Sequence, residues 1–131
     1  KRLKFNQEIS ALTGAFLAIE KSKWIKIGGF DEKNLKVNYN DVDVCLKAGK
    51  KGLKNLFLPD LKIYHYESKT RGLLYGKKLK QWVKEKKIME KRWLYLLEND
   101  PFYSPHLSLW EENYSISLRS LSNIKIRSSE I

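Results

Sequence analysis

Cysteine occurs once in this 131-residue chain and histidine twice. The lone Cys45 excludes a disulfide framework and a cysteine-based metal site, and it suits a reducing compartment. No apolar run approaches the roughly 20 residues that a helix needs to cross a bilayer, so no membrane-spanning helix is expected. The opening stretch, Lys1-Arg2-Leu3-Lys4-Phe5, lacks the long apolar segment of a signal peptide, and no methionine heads it. It reads as the middle of a longer protein. There is no internal repeat, no low-complexity linker and no recognised nucleic-acid motif.

Basic residues are what the chain has in excess. Lysine and arginine total 26 against 15 acidic residues, a formal charge of +11, which favours anionic partners: nucleic acid, phosphate esters or an anionic membrane surface. From Lys77 to Arg92 there are eight basic residues and two acidic ones, so more than half of the net excess sits in one segment. The length allows one ordinary core, hence one domain or part of one.

The stretch Asn40-Asp41-Val42-Asp43-Val44-Cys45-Leu46 opens a predicted helix with two carboxylates in its first turn. Asn40 suits the N-cap, and the acids offset the positive end of the helix dipole. Val42, Cys45, Leu46 and Gly49 recur at helical spacing as an inward face, leaving Asp41 to point into a cleft, and Gly52 supplies the stop. Upstream, the apolar run Ile9 to Ile19 is interrupted at Thr13-Gly14-Ala15. It predicts a buried strand whose glycine lets the backbone approach something closely. Ser22 can cap a short helix through Ile27 that Gly28-Gly29 ends, and a lysine-rich polar loop then leads to Asn40.

Downstream, Leu56-Phe57-Leu58 reads as a short strand ended by Pro59, and Leu61, Ile63 and His65 alternate with Lys62, Tyr64 and Tyr66 as a second one. From Leu73 to about Leu97 the pattern is helical, with Leu79, Trp82, Met89, Trp93 and Leu96 along one stripe and lysines elsewhere. Asn99-Asp100-Pro101 breaks that helix, and an aromatic tail follows.

Taken in order, Thr13-Gly14-Ala15, Gly28-Gly29-Phe30-Asp31-Glu32, Asn40-Asp41-Val42-Asp43-Val44-Cys45-Leu46, Pro59, His65-Tyr66-Glu67-Ser68 with Arg71-Gly72, and Asp100-Pro101-Phe102-Tyr103-Ser104-Pro105-His106-Leu107-Ser108 resemble family 2 glycosyltransferases. The likeness is to bacterial enzymes that build rhamnan, O-antigen or capsular polysaccharide, and it runs from Ile9 to about Leu118. It implies an α/β chain that is part of a GT-A fold, with short mixed strands and a long basic C-terminal helix. Residues 1–72 would be the acceptor-side, catalytic-base part and 73–131 a helical extension with an aromatic tail. The nucleotide-binding half is not in this sequence, so the chain alone is expected to be inactive.

The resemblance also implies roles. Asp41 matches the acid of the family's "ED" pair, the general base that deprotonates an acceptor hydroxyl during inverting transfer. His65 matches a histidine that completes coordination of a divalent metal, magnesium or manganese, beneath the donor diphosphate. Arg71 would approach that diphosphate. A hydroxyl needs a carboxylate nearby to lose its proton, and a leaving diphosphate needs a cation, so the set is chemically coherent. Asn40 stands where many members have glutamate, which removes one charge beside the base. Asp41-Val42-Asp43 is not read as the family's metal motif, because it follows a polar loop and opens a helix.

Each of these residues also has a plainer reading. Asp41 and Asp43 suit helix-start acids, and Asp43 is the more structural of the two, with acceptor contact as its alternative. His65 suits a core histidine on an apolar strand face, and Arg71 can simply pair with Glu67. Trp24 and Tyr39 flank the loop to Asp41 and are the candidates for stacking on an acceptor ring. Gly14, Gly28 and Gly29 serve backbone turns. The basic helix is either a solvated face or a contact for anionic lipid head groups.

The implied partners are a nucleotide-sugar donor and a glycan or lipid-linked acceptor. The implied location is the cytoplasmic side of a bacterial membrane, with peripheral contact through the basic helix and self-association through exposed apolar surface. The rival class is a small basic nucleic-acid-binding or protein-interaction module.

Overall fold

The computed structural model describes residues 4–64, 75–109, 111 and 113–117. His65, Arg71, Glu67 and Trp110 lie outside the described residues. Among the described residues the elements occur in the order β1 (Gln7–Glu8), α1 (Lys21–Ile27), α2 (Asn40–Lys50), β2 (Leu56–Phe57) and α3 (Gly76–Glu98). The chain is thus mixed α and β. It divides into two compact units, Lys1–Trp93 and Leu94–Ile131, with the division inside α3.

In the first unit β1 and β2 pair antiparallel, Gln7 opposite Phe57 and Glu8 opposite Leu56. The ladder continues for one bond, from the Ile9 amide to the Asn55 carbonyl at 3.0 Å. Asn55 then fastens this small sheet to α2, its side-chain amide donating to the Ser10 and Cys45 carbonyls at 3.0 Å each. The strand expected over Ile9 to Ile19 does not form; of the one expected over Leu61 to Tyr66, the described part, Leu61 to Tyr64, is not strand, and His65 and Tyr66 lie outside the described residues. The first is an apolar run and the second alternates, but a strand needs a neighbour to satisfy its backbone, and no other strand lies beside either among the described residues. The one strand pair among the described residues is antiparallel.

Both short-range helix stops follow from glycine. Gly28 adopts a left-handed conformation with φ of 83°, and the Gly29 amide reaches back to the Trp24 carbonyl at 3.1 Å. After α2, Gly52 with φ of 75° donates to Gly49, and Leu53 donates to Ala48 at 3.0 Å, the two bonds of a Schellman closure. The starts differ by a residue or two from expectation. Ser22 lies inside α1 behind Glu20 and donates its hydroxyl to the Glu20 carboxylate. Tyr39, with φ of 65°, takes the N-cap position of α2, which makes Asn40 its first helical residue.

The core gathers Ile27, Val44, Cys45 and Ala48, with Ala11, Leu12, Leu17, Trp24 and Leu53 packed against it. The inward face of α2 is therefore centred on Val44, Cys45 and Ala48, while Val42 is half-buried and Gly49 is exposed. An open, mostly apolar cavity of about 440 Å³ borders this core, lined among others by Leu12, Leu17, Ile19, Ile27, Val44 and Leu53. On α3 the buried residues are Met89 and Glu85; Leu79, expected on the inward stripe, is exposed.

The second unit begins with the last turn of α3, which ends at Glu98, and Pro101 prevents its continuation. Leu107 and Ile116 form an antiparallel bridge, flanked by Ser108 N–H to Ser115 O at 2.8 Å and Ser117 N–H to His106 O at 2.7 Å. Tyr103 stacks on Tyr114 at 6.3 Å and donates its hydroxyl to the Ser108 carbonyl at 2.9 Å. The Asp100-to-Ser108 segment is accordingly a run of tight turns, held by Tyr103 N–H to Asp100 O at 3.2 Å and Leu107 N–H to Ser104 O at 3.1 Å, that leads into this bridge.

Candidate functional site

The first turn of α2 carries both carboxylates, and the two have opposite environments. Asp41 is half-buried, and its Oδ2 accepts from the Gly14 amide at 2.8 Å. Its Oδ1 accepts from the Val42 amide at 2.9 Å. A Cβ on residue 14 would lie 3.1 Å from Asp41 Cβ and 3.2 Å from Oδ2, so glycine is what permits this approach. The close approach that Gly14 allows is to the carboxylate itself.

Asp43 is fully buried. Its Oδ1 accepts from the Trp93 indole Nε1 at 2.9 Å and from Arg92 Nη1 at 3.3 Å. Lys47 Nζ lies 2.9 Å from Oδ2 as an ion pair without aligned hydrogen-bond geometry. That ammonium also donates to the Gly29 carbonyl at 2.8 Å, tying α2 to the glycine turn. With its oxygens turned to these partners, Asp43 holds the structure together.

Residues 31 to 40 form the rim before Asp41, and the side chains of Asp31, Asn34, Leu35, Asn40 and Arg92 fold them. Asp31 Oδ1 accepts from the Asn34 amide at 3.0 Å, and both Asp31 oxygens accept from the Asn34 side chain. Arg92 Nη2 closes on Asp31 Oδ2. Burial disfavours the ionised Asp31, but the Asn34 and Arg92 bonds outweigh it and hold its pKa at about 2. Asn40 works in both directions, its Oδ1 accepting from the Asp31 amide at 2.9 Å and its Nδ2 donating to the Leu35 carbonyl. A glutamate could not donate the second bond, which gives a physical reason for asparagine here. Leu35, wholly buried, plugs the centre of the loop.

Glu85 closes the far end of the rim. It is fully buried, and it accepts from the amides of Val37 (3.2 Å) and Asn38 (2.8 Å), from Asn38 Nδ2 (2.7 Å) and from Gln81 Nε2 (2.6 Å). Burial opposes its charge, yet these four donors lower its pKa below the ordinary glutamate value. For Tyr39 the order is the reverse: burial and the nearby Glu90 and Glu85 charges raise the phenol.

Trp24 packs edge-on against Phe30 at 4.8 Å and over Gly29, where a Cβ would come within 2.8 Å of its ring. It therefore shapes the glycine turn, and only part of it remains exposed beside the rim. The structure brings Asp41 and Gly14 into contact and sets Asp43 apart in the interior. Sequence reasoning did not single out Asp31, Asn34, Glu85 and Arg92 as organising groups. A signal was present: Arg92 is the one arginine among seven lysines between residues 77 and 92, and only a guanidinium fork can bridge two carboxylates in this way.

The candidate metal ligand, His65, lies outside the described residues. Asp41 and Asp43 turn to different partners, and no group of three or more potential ligands comes together among the described residues.

The chain is similar to a Sinorhizobium fredii protein, "Uncharacterized protein y4gI", with 35% identity over 117 residues. The alignment covers 88% of this chain and 13% of that protein, so the chain spans about an eighth of its relative's length. No family model and no solved structure matches. Among the described residues no helix is long and apolar enough to cross a membrane.

Proposed function

We propose that this chain is the acceptor-side portion of a GT-A glycosyltransferase of the family 2 type, with Asp41 as general base. The observation that carries the reading is the Gly14 amide bond to the half-exposed Asp41 carboxylate at 2.8 Å. It joins two of the motifs on which the resemblance rests, and it fixes a carboxylate at the edge of the folded rim rather than inside the core. In the intact enzyme an acceptor hydroxyl entering beside the rim transfers its proton to Asp41 as its oxygen attacks the anomeric carbon. The nucleoside diphosphate leaves from the opposite face. Tyr39 and the exposed part of Trp24 flank the entry and contact the acceptor sugar.

Apolar surface agrees with a missing half. Phe16 is 57% exposed, Leu56 54% and Leu58 44%; Leu56 lies in β2 and Leu58 directly follows it, in a sheet that has only two strands among the described residues. A nucleotide-binding half would supply neighbouring strands and cover them. On α3, Lys77, Lys80, Lys84, Lys87 and Lys91 are exposed and follow one another at spacings of three and four residues, forming a stripe without an acid. The stripe suits peripheral contact with an anionic membrane on the cytoplasmic side, where a lipid-linked acceptor would be found. The same stripe is what favours a second reading, a nucleic-acid-binding module. Tight binding with base preference and a steep salt slope would support that reading, and weak binding without preference would reject it.

The test is transfer by the full-length protein from a panel of nucleotide-sugar donors, with Asp41 intact and as Asp41→Asn. Transfer that depends on Asp41 supports the proposal; no transfer from any donor rejects it.

A further inference from the structure

We infer that Glu85 and Arg92 are positioning residues for Asp41, so that α3 completes the site as a splint rather than serving as an appended helix. The inference rests on the proposed role of Asp41. Glu85 and Arg92 are seven residues apart, two helical turns, and therefore share one face of α3. From that face they grip opposite ends of the rim. Arg92 spans Asp31, at the rim's start, and Asp43, inside α2. Glu85 takes the amides of Val37 and Asn38, at the rim's end.

The peptide that Glu85 holds leads directly into the helix start. Tyr39 follows Asn38 in the left-handed region, with φ of 65°, a conformation that a bulky aromatic residue adopts only under outside constraint. The Asp43 amide then donates to the Tyr39 carbonyl at 2.8 Å and begins the α2 ladder. Anchoring Asn38 therefore fixes Tyr39, and Tyr39 fixes the direction in which Asp41 leaves the helix. Glu85 is itself no candidate base, since it is sealed from solvent and four donors occupy its two oxygens.

Glutamine at position 85 would turn its NH₂ group toward donors on one side, so Glu85→Gln breaks the grip while preserving shape. Lysine at 92 keeps the charge but not the two-armed bridge. The experiment measures amide hydrogen exchange and sugar transfer in the full-length protein for Glu85→Gln, Arg92→Lys, Arg92→Met and the milder Gln81→Ala, which removes one donor of the four. Exchange at Val37 and Asn38 rises at least tenfold in Glu85→Gln, and by less in Gln81→Ala, while exchange at Cys45 to Ala48 stays unchanged.

In Glu85→Gln and Arg92→Met kcat falls tenfold or more with donor KM held within twofold, Gln81→Ala falls by less, and Arg92→Lys falls between wild type and Arg92→Met. Unchanged exchange at 37 and 38 overturns the splint. Faster exchange with unchanged kcat overturns the positioning role, and so does a loss of active fraction with kcat per folded molecule preserved. If the wild type transfers no sugar, the proposed function fails, and the splint is decided by the exchange data alone.

Discussion

The amide of Gly14 donates to the carboxylate of Asp41 at 2.8 Å across 27 residues of chain. A methyl group on residue 14 would press against Asp41 at 3.1 to 3.2 Å, tighter than ordinary van der Waals contact. Gly14→Ala should leave the melting temperature within a few degrees and lower sugar transfer by about tenfold, a displacement effect on a positioned catalytic group. Thermal melting and a transfer assay on the same preparation check it.

The two carboxylates of the α2 first turn should separate cleanly in stability. Asp43 is buried among Arg92, Trp93 and Lys47, so Asp43→Ala leaves cations and an indole N–H without their partner, and the loss should be about 3 kcal/mol or more. Asp41→Asn keeps an acceptor for the Gly14 amide and should change stability by less than about 1 kcal/mol. Urea denaturation of both variants measures the difference.

Stability should fall on acidification through two named carboxyls. Burial opposes the charge of both Asp31 and Glu85, but hydrogen bonds hold Asp31 at about 2 and Glu85 below the ordinary glutamate value of 4.5. Groups with depressed native pKa values contribute stability that is present above their unfolded values and lost as pH falls through the native ones. The loss should therefore begin near pH 4.5 and continue toward pH 2. In Asp31→Asn the part of that slope nearest pH 2 should flatten, as read from urea midpoints at successive pH values.

Cys45 should be inert in the folded protein. Its thiol is buried, burial pushes its pKa up with the Asp41 charge adding to this, and the weak bond from the Leu12 amide at 3.5 Å does not reverse it. A maleimide or disulfide reagent at pH 8 should label it at least a hundredfold more slowly than in urea. Labelling is followed by mass spectrometry.

The lysine stripe of α3 gives a prediction about membranes. Vesicles containing anionic lipid should bind the protein, and neutral vesicles should not. Replacing Lys77, Lys80, Lys84, Lys87 and Lys91 by glutamine should weaken binding by about 1 kcal/mol for each lysine that meets the surface, as measured by vesicle sedimentation.

The parts of this structure that were legible in sequence are those set by short-range pattern. Periodicity located α2 and α3, paired glycines ended α1, Gly52 ended α2, and the break in the apolar run at Gly14 marked a close backbone approach. The strand predicted over Ile9 to Ile19 does not form, and the described part of the one from Leu61 to Tyr66 is not strand, because an apolar run or an alternation describes a segment's faces and says nothing of whether a partner lies beside it. The rim was hidden for a different reason. Arg92 and Asp31 lie 61 residues apart, and Glu85 and Asn38 lie 47 apart, so no local spacing connects them. Glu85 was further disguised by its setting in a lysine-rich helix, where an acid reads as surface charge; the fold turns it wholly inward.

The most direct measurement is the rate of sugar transfer by the full-length protein and its Asp41→Asn variant, with magnesium or manganese and a panel of nucleotide-sugar donors. The account predicts a loss of at least a hundredfold in kcat with donor affinity retained, since the carboxamide keeps the Gly14 contact but cannot accept the proton. Undiminished turnover would contradict it and would leave Asp41 as a helix-start acid that anchors the Gly14 turn.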